Sequence, residues 1–447
     1  MTLERYKRNE MGMVWSDLFK FLKWLQVEFM VIEARSEMGE IPFPFRANVL
    51  EGLIENLIIP AEIDRIESEI TKHDVTAFVR HVTSFEEFPE ELKPWFHQRM
   101  TSYDTQDTAL MLILKESIKI IRSDLEAVLE TLFKLAHDYK DTPKIGRTHG
   151  IHAEPITFGV ELANWYDEFR RNIYRLEKLE KTVSVMKLSG AVGMYTLSPQ
   201  VEERVGEKLG LKPIITTQII ARDIIAEYVT TMGIIAGTVG KVCTTLRGLA
   251  RTEIREVMEY FDPNQTGSSA MPHKKNPIGW ENITGICRDI QSRTFTAYQN
   301  QISWDQRDLA NSSAERVMLS DISIYLDYAL RRFNGSIKKM IVNPKKMLKN
   351  IGITNGLVFS QEVVSLLTEK KGLPREVAYE MVRKAAMICW EEDYEKSLVE
   401  ALTEDPDVMV HVSAAELEAC TDLKEKLKYT DNIFFKVFGF HKSKTIL

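Results

Sequence analysis

Apolar residues recur at three- and four-residue spacing through long stretches of this chain. The clearest stretch runs from Gln106 to Lys140, and its apolar positions are Leu110, Met111, Leu114, Ile118, Ile121, Leu125, Val128, Leu129, Leu132 and Leu135. This spacing places one apolar stripe along a helix. At a rise of about 1.5 Å per residue, the predicted helix is about 50 Å long.

Four further stretches share this periodicity and predict four more long helices. They cover about 156–188, 219–260, 277–309 and 312–340. The last one begins at Ser312-Ser313-Ala314-Glu315, which is a capping-box pattern. Helices of roughly 30 residues or more exceed the usual globular length and predict a large bundle. Gly233, Gly237 and Gly240 in the third helix permit a close approach by a neighbouring backbone.

The segments on either side of these helices are less regular. Residues 1–100 combine short helical patterns with Pro-marked breaks, and the tail predicts shorter helices around Leu373–Glu392 and Ala414–Lys428. The sequence has no βαβ alternation, internal repeat or low-complexity tract. We therefore predict an all-α fold with a central bundle of five long helices. The predicted domains are 1–100, 101–341 and 342–447.

The composition is that of a globular protein, since 44% of the 447 residues are hydrophobic and 28% are charged. A formal net charge of −7 argues against non-specific binding of nucleic acid. The least polar run, Val229–Val242, contains three threonines and three glycines, which favours a buried helix over a membrane span. We expect neither nucleic acid nor a membrane among the partners.

The four cysteines lie far apart without a Cys-x-x-Cys motif, which predicts free thiols in a reducing compartment. The N-terminus is charged and lacks an apolar signal region, so we expect a cytoplasmic enzyme. His149 and His152 do not have the spacing of a zinc motif. The turn Ser189–Gly193 lacks the strand context of a dinucleotide fingerprint. We therefore expect neither a metal nor an organic cofactor.

The segment Gly267–Pro277 carries the most distinctive chemistry: Gly-Ser-Ser-Ala-Met-Pro-His-Lys-Lys-Asn-Pro. It combines two hydroxyls, two lysines and an imidazole just before a helix, with Asn276 as the expected N-cap. A helix N-terminus offers N–H groups and a positive dipole end, which suit a carboxylate or a developing oxyanion. The alternative interpretation is a polar loop between two helices.

These eleven residues resemble the signature loop of the fumarase/aspartase superfamily, whose members eliminate fumarate from succinyl compounds. Other blocks resemble that superfamily in the same order along residues 1 to about 340: Thr101-Ser102, Gly146–Gly150, Gln218 and Ser312–Arg316. Fumarases and aspartases carry Gly-Lys-Val-Asn-Pro at this loop, and argininosuccinate lyases resemble Gln-Lys-Lys-Asn-Pro. His273 therefore indicates the branch that acts on succinylated purine nucleotides.

Such an elimination removes a weakly acidic proton beside a carboxylate and protonates the departing nitrogen. The resemblance implies Ser268 as general base, with Ser269 as the substitute, and His149 as general acid. Lys274 is expected to stabilise the serine alkoxide and, with Asn276, to hold the succinyl carboxylates. Glu281, one turn into the helix, is expected to orient an imidazole.

The resemblance extends to the nucleotide. Arginines and a hydroxyl are suited to a phosphate, and the matching positions are Arg5, Tyr6, Arg307, Ser312 and Arg316. The positions expected near the phosphate and leaving group are Lys72, His73, Asp74 and His97, with His73 also expected to be catalytic. The remaining expected contacts to substrate are Thr101, Ser102, Thr148 and Gln218. Two positions depart from many relatives, because Lys72 replaces an Arg and Arg99 replaces a Gly.

The resemblance implies elimination of fumarate from adenylosuccinate, giving AMP, and from the related succinylated imidazole-carboxamide ribotide of purine biosynthesis. The alternatives are another fumarate-releasing lyase or cycloisomerase of the same superfamily, and a non-catalytic helical scaffold. If the long helices alternate up and down, Ser102 and Arg316 lie at one end of the bundle. His149 and Ser268 then lie at the other end, which predicts active sites shared between subunits, and the resemblance implies that the assembly is a homotetramer.

Overall fold

The computed structural model describes residues 2–262 and 270–439, and it is mainly helical within these ranges. The helices are α1 (Thr2–Tyr6), α2 (Asn9–Val14), α3 (Asp17–Glu37), α4 (Ala47–Glu55), α5 (Pro60–Ile66), α6 (Asp74–Thr83), α7 (Ser102–Asp138), α8 (Phe158–Val183), α9 (Pro199–Leu209), α10 (Asp223–Leu249), α11 (Ile278–Gln299), α12 (Ala310–Lys339), α13 (Pro344–Ile351), α14 (Ser360–Ser365), α15 (Arg375–Glu391), α16 (Leu398–Thr403), α17 (Pro406–Met409), α18 (Ala414–Ala419), α19 (Leu423–Lys426) and α20 (Thr430–Phe438).

Six short strands form two-stranded sheets in this part of the chain. They are β1 (Pro143–Thr148), β2 (Ile151–Thr157), β3 (Val185–Met186), β4 (Lys212–Pro213), β5 (Val257–Met258) and β6 (Ile341–Val342). β1 pairs with β2 and β5 with β6 in antiparallel fashion, whereas β3 and β4 are parallel. Such small sheets do not change the all-α class that the periodicity predicted.

The five predicted long helices are present as α7, α8, α10, α11 and α12. Their lengths of 37, 26, 27, 22 and 30 residues show that the prediction was too long for the middle three. α10 ends at Leu249 rather than Tyr260, and the chain then passes through Arg255, whose backbone is left-handed (φ 48°), into β5. In the tail, α15 matches its prediction, but the second predicted helix is divided into α18 and α19.

Contacts divide the chain into two compact units. Unit 1 comprises Met1–Ala127, Arg171–Lys241 and Asn282–Phe333. Unit 2 comprises Val128–Arg170, Val242–Glu281 and Asn334–Leu447. These units follow contacts in space rather than position along the chain, and the division into three sequence domains stays a prediction.

The glycines of α10 make the close approach that the sequence predicted. A Cβ at Gly233 would lie 2.9 Å from Thr294 Cγ2, and one at Gly237 would lie 3.0 Å from Gln291 Nε2. One at Gly240 would lie 3.3 Å from Cβ of Cys287. The stripe therefore lets α11 pack against α10 at short range. α10 is long and apolar enough to cross a membrane, but 61% of its most apolar window is buried, as in a core helix.

Two carboxyl groups meet inside unit 1 where α7 and α12 pack. Asp124 and Asp327 are 4% and 0% exposed, and Arg8 forms ion pairs with both. Burial and the neighbouring Asp327 raise the pKa of Asp124 to about 8, despite the opposing effects of Arg8 and Arg331. The pair therefore holds one proton at neutral pH, shared by the two acids.

This pair predicts a pH-dependent stability. A raised folded-state pKa stabilises the fold fully below about pH 4, and that contribution is lost as pH rises through about 8. Asp124→Asn mimics the protonated acid at every pH. We expect the difference in free energy of unfolding, variant minus wild type, to increase by more than about 1.4 kcal/mol from pH 5 to pH 8. Urea unfolding at each pH measures this difference. Glu90→Gln, at an 85% exposed carboxylate, is the control and should show no such trend. Parallel pH profiles for wild type and Asp124→Asn would contradict the shared proton.

Candidate active site

His73 and Ser102 are brought together in unit 1. His73 is the N-cap of α6, and its Nδ1 accepts a hydrogen bond from the Thr76 N–H at 3.3 Å. Since Nδ1 accepts there, the proton of the neutral ring is on Nε2. Nε2 lies 3.2 Å from Oγ of Ser102, the first residue of α7. The half-exposed imidazole thus presents an N–H donor beside a hydroxyl.

Asp74 links this pair to the start of α12. Its Oδ1 accepts from Nε2 of Gln106 at 3.0 Å, and its Oδ2 accepts from Nη2 of Arg316 at 3.2 Å. Asp74, Ser312 and Arg316 line a cavity of about 410 Å³. Its aromatic lining residues are Trp15, Phe21, Trp24 and Tyr103. Three predicted residues from two widely separated blocks therefore border one cavity.

A buried ion cluster supports this region. Arg222 donates from Nη1 and Nη2 to the two oxygens of Asp107 at 2.7 and 3.0 Å, and from Nε to Glu315 at 3.0 Å. All three side chains are less than 9% exposed. Burial raises the pKa of Glu315, opposed by the Arg222 charge. Gln218 is half-buried and precedes Ile220, whose N–H donates to Asp107 at 2.8 Å.

His97 has a carboxylate partner that the sequence did not reveal. Its Nδ1 lies 2.8 Å from Oε1 of Glu28, which is fully buried in α3 and also accepts from Thr105 at 2.6 Å. Burial alone lowers the pKa of His97, but the Glu28 charge and hydrogen bond outweigh it and raise that pKa. The backbone is left-handed at His97 (φ 57°) and Arg99 (φ 62°), a conformation in which a glycine would be unstrained.

Other predicted residues of unit 1 have separate surroundings. The Tyr6 ring packs edge-on to Tyr325 and Tyr328 at 6.1 and 5.0 Å, while Arg5 is exposed. The Thr101 N–H donates to Asp104, next to Ser102. Lys72 is exposed with a left-handed backbone. Its Nζ donates to the carbonyl oxygen of Ser68.

In unit 2, Thr148 and His149 lie at the tip of the β1–β2 hairpin. His149 and Gly150 have φ values of 55° and 82° and connect the strands as a two-residue turn of the I′ kind. Both Thr148 and His149 are exposed. A glycine at the second position relieves the strain of this turn, and the hairpin holds the imidazole out to solvent.

A buried carboxylate anchors that hairpin. Glu256, fully buried, accepts from Arg147 in a bidentate pair at 2.7 and 3.1 Å, and from Asn350 at 2.8 Å. Lys144 lies 3.9 Å from the same carboxylate. Burial and the Arg147 charge lower the pKa of His152, which pairs with Arg147 across the hairpin. The cluster holds β1 in place directly before His149.

The signature loop is described in part. Ser268 and Ser269 lie outside the described residues. Lys274 and Glu281 are exposed, and Asn276 is half-buried. α11 begins at Ile278, one residue later than the expected start at Pro277. The Gly279 N–H donates to Oε2 of Glu259 at 3.0 Å, so a protein carboxylate already uses one donor of the helix N-terminus that we expected to face substrate.

Several supporting residues were missed by sequence reasoning, namely Glu28, Tyr103, Asp107, Arg222, Glu256 and Asn311. Each is identified by its contacts rather than by a motif. The only local sequence signal for such a residue was a charged or polar side chain within a helical stretch that is otherwise apolar, as at Glu28 between Val27 and Phe29. Among the described residues, no group of three or more His, Cys, Asp or Glu side chains is arranged to hold a metal.

The chain is similar to known proteins along nearly its whole length. The profile of a family described as "Lyase" matches residues 5–292, and that of "Adenylosuccinate lyase C-terminus" matches residues 356–437. The chain is 44% identical over 439 residues to the adenylosuccinate lyase of Aquifex aeolicus (strain VF5), covering 98% of this chain and 99% of that protein. It is also 44% identical over 436 residues to the adenylosuccinate lyase of Staphylococcus saprophyticus, covering 97% and 98%.

Solved structures share the fold. A beta-carboxy-cis,cis-muconate cycloisomerase from Acinetobacter calcoaceticus sp. ADP1 and a fumarate lyase from Mesorhizobium sp. BNC1 each give a TM-score of 0.85 at 24% identity, over 97% of this chain and 98% of theirs. A 3-carboxy-cis,cis-muconate lactonizing enzyme from Pseudomonas putida gives 0.84 at 26% identity, over 99% of both chains. These likenesses confirm the all-α architecture predicted from the sequence.

The Arg222 cluster predicts a large cost for losing its cation. Arg222→Met leaves Asp107 and Glu315 buried without a counter-charge, and we expect the free energy of unfolding to fall by about 3–5 kcal/mol. Arg204→Met is the matched control, because Arg204 also pairs with two carboxylates but is 46% exposed. It should lose less than about 1 kcal/mol. Equal losses in urea unfolding would contradict a structural role for the buried cluster.

Proposed function

The chain belongs to the adenylosuccinate lyase family of the fumarase/aspartase superfamily, and from this premise we propose how its residues carry out the reaction. The enzyme eliminates fumarate from adenylosuccinate and leaves AMP. The near full-length 44% identity to two adenylosuccinate lyases is the observation that carries this conclusion. We extend the activity to the succinylated imidazole-carboxamide ribotide, because it carries the same succinyl group on a phosphorylated ribose.

Ser268 is the proposed general base, with Ser269 as the alternative. It removes the proton from the carbon next to a succinyl carboxylate, the C–N bond breaks, and its electron pair stays on nitrogen as the C=C bond of fumarate forms. The developing dianion needs fixed cationic and N–H donors, and Lys274 and Asn276 are the residues proposed to provide them. A serine acts as a base only where its alkoxide is stabilised, which Lys274 also supports.

His149 is the proposed general acid that protonates the departing nitrogen. Its exposed position at a rigid turn supports this role, since proton delivery requires an imidazole that reaches outward. Glu281 is proposed to orient an imidazole from the first turn of α11. His73 is proposed to assist on the nucleotide side, where its Nε2 proton faces Ser102.

The nucleotide end is assigned to unit 1. The cavity beside Asp74, Ser312 and Arg316 supports binding of a phosphorylated ribose. Arg307, which stacks on the ring of the lining residue Tyr103, is proposed as a further cation. The other residues proposed to contact substrate are Arg5, Tyr6, Lys72, His97, Thr101, Ser102, Thr148 and Gln218. Binding energy from the remote phosphate can then order the reacting succinyl end.

We propose a homotetramer with shared sites, and the length of α7 supports the sharing. Ser102 is its first residue, and a 37-residue helix is about 55 Å long. His149 follows its last residue by eleven positions, and we propose that Ser102 and His149 of one chain serve different active sites. A two-fold neighbour would supply the missing end. We propose the cytoplasm as the compartment, which the four free cysteines support.

Replacing the base tests the chemistry. Ser268→Ala should lower kcat by at least about 10²-fold in an absorbance assay of adenylosuccinate cleavage, while AMP binding changes only a few-fold. Ser269→Ala is the matched control at the next residue. Retained activity in Ser268→Ala with loss in Ser269→Ala would move the base by one position. Wild-type protein that leaves adenylosuccinate intact would refute the function.

Subunit sharing predicts complementation. Ser268→Ala and Ser102→Ala variants, each inactive, are mixed, dissociated and reassociated. Random assembly should restore both groups at about a quarter of the sites. Each variant taken alone through the same cycle is the control. Absence of recovered activity, with mixed oligomers verified by mass, would mean that each site is built within one subunit.

A further inference from the structure

Tyr103 and Asn311 hold the guanidinium of Arg307 from two directions. Cζ of Arg307 lies 4.0 Å from the centroid of the Tyr103 ring. Nη1 of the same group donates to Oδ1 of Asn311 at 2.7 Å. Asn311 is 3% exposed, and its Nδ2 donates to Oε1 of Glu315 at 2.8 Å, which fixes which way the amide points. The guanidinium is therefore restrained by a ring face and by a buried hydrogen-bond chain.

The opposite edge of that guanidinium makes no hydrogen bond to the residues that the structure describes. Nε and Nη2 of Arg307 are buried and have no hydrogen-bond partner among the residues that the structure describes. Buried donors in native proteins are nearly always paired. Nε and Nη2 also lie on one edge of the planar group, where two parallel N–H bonds match two oxygens of a phosphate. The edge is therefore arranged for a bidentate anion.

We infer that Tyr103 is a positioning residue that orients Arg307 for the nucleotide phosphate. The inference rests on the proposed function, in which Arg307 contacts that phosphate. A free arginine loses much side-chain freedom when it binds an anion. The Tyr103 ring and Asn311 already restrict the Arg307 side chain in the folded protein. Less side-chain conformational entropy is therefore lost when the anion binds. The ring face, rather than the hydroxyl, makes the contact with the cation.

The two parts of the tyrosine can be separated by substitution. Tyr103→Phe keeps the ring face, and Tyr103→Leu removes it while keeping an apolar side chain. We expect Tyr103→Leu to weaken AMP binding about tenfold in calorimetry, the order expected for a desolvated cation–π contact. Tyr103→Phe should bind AMP within about twofold of wild type. Adenosine, which lacks the phosphate, should bind all three proteins equally. Tyr103→Met is a second ring-less variant should Tyr103→Leu fail to fold.

A double-mutant cycle shows whether Tyr103 acts through Arg307. In an Arg307→Ala background, Tyr103→Leu should cause no further loss of AMP affinity. Equal weakening of AMP and adenosine would overturn the inference, because the ring would then contact the nucleoside or support the fold. Wild-type affinity for AMP in Tyr103→Leu would also overturn it and leave the proposed function intact. Wild-type protein that binds AMP no more tightly than adenosine would instead show that the phosphate site is wrong.

Discussion

Arg222, enclosed by Asp107 and Glu315, is the interaction on which unit 1 depends. The three side chains come from α7, α12 and the residue before α10, and all are almost fully removed from water. A buried charge is tolerated only when its partners sit at hydrogen-bonding distance. A shift of any of these helices by one turn would separate the charges. The cluster therefore fixes the register of the helices that carry Ser102, Ser312 and Arg316.

Unit 2 also contains a buried ion cluster, which lies at the β1–β2 hairpin. Glu256 is enclosed by Arg147 and Asn350, and the strand that it holds ends at an exposed Thr148-His149 tip. In both units a buried ion cluster stands behind polar groups that reach solvent. This arrangement suits an elimination, in which rate depends on donors held in place before charge develops.

Much of the architecture was accessible from the sequence because it is local. Periodicity along 106–140 is a property of consecutive residues, and α7 appears where it was predicted. The glycines of α10 indicated a close helix neighbour for an equally local reason, since they lack a Cβ. The motif residues were recognised by order and identity. The end of α10 was not predicted, because the chain beyond it forms β5, whose partner β6 lies more than eighty residues later in the chain.

The sequence by itself thus determined the all-α class and the long helices, since these are encoded in spacing and residue type, and it predicted which residues carry the chemistry. The tertiary structure alone decided which charges are buried and what each one holds. Glu28, Arg222 and Glu256 resemble surface residues in a linear string, and they become supports only when distant partners satisfy them. Tyr103 likewise gains a role only because folding brings Arg307 over its ring. The contribution of a buried polar group to stability depends on all the groups around it, and a local sequence pattern does not specify those neighbours.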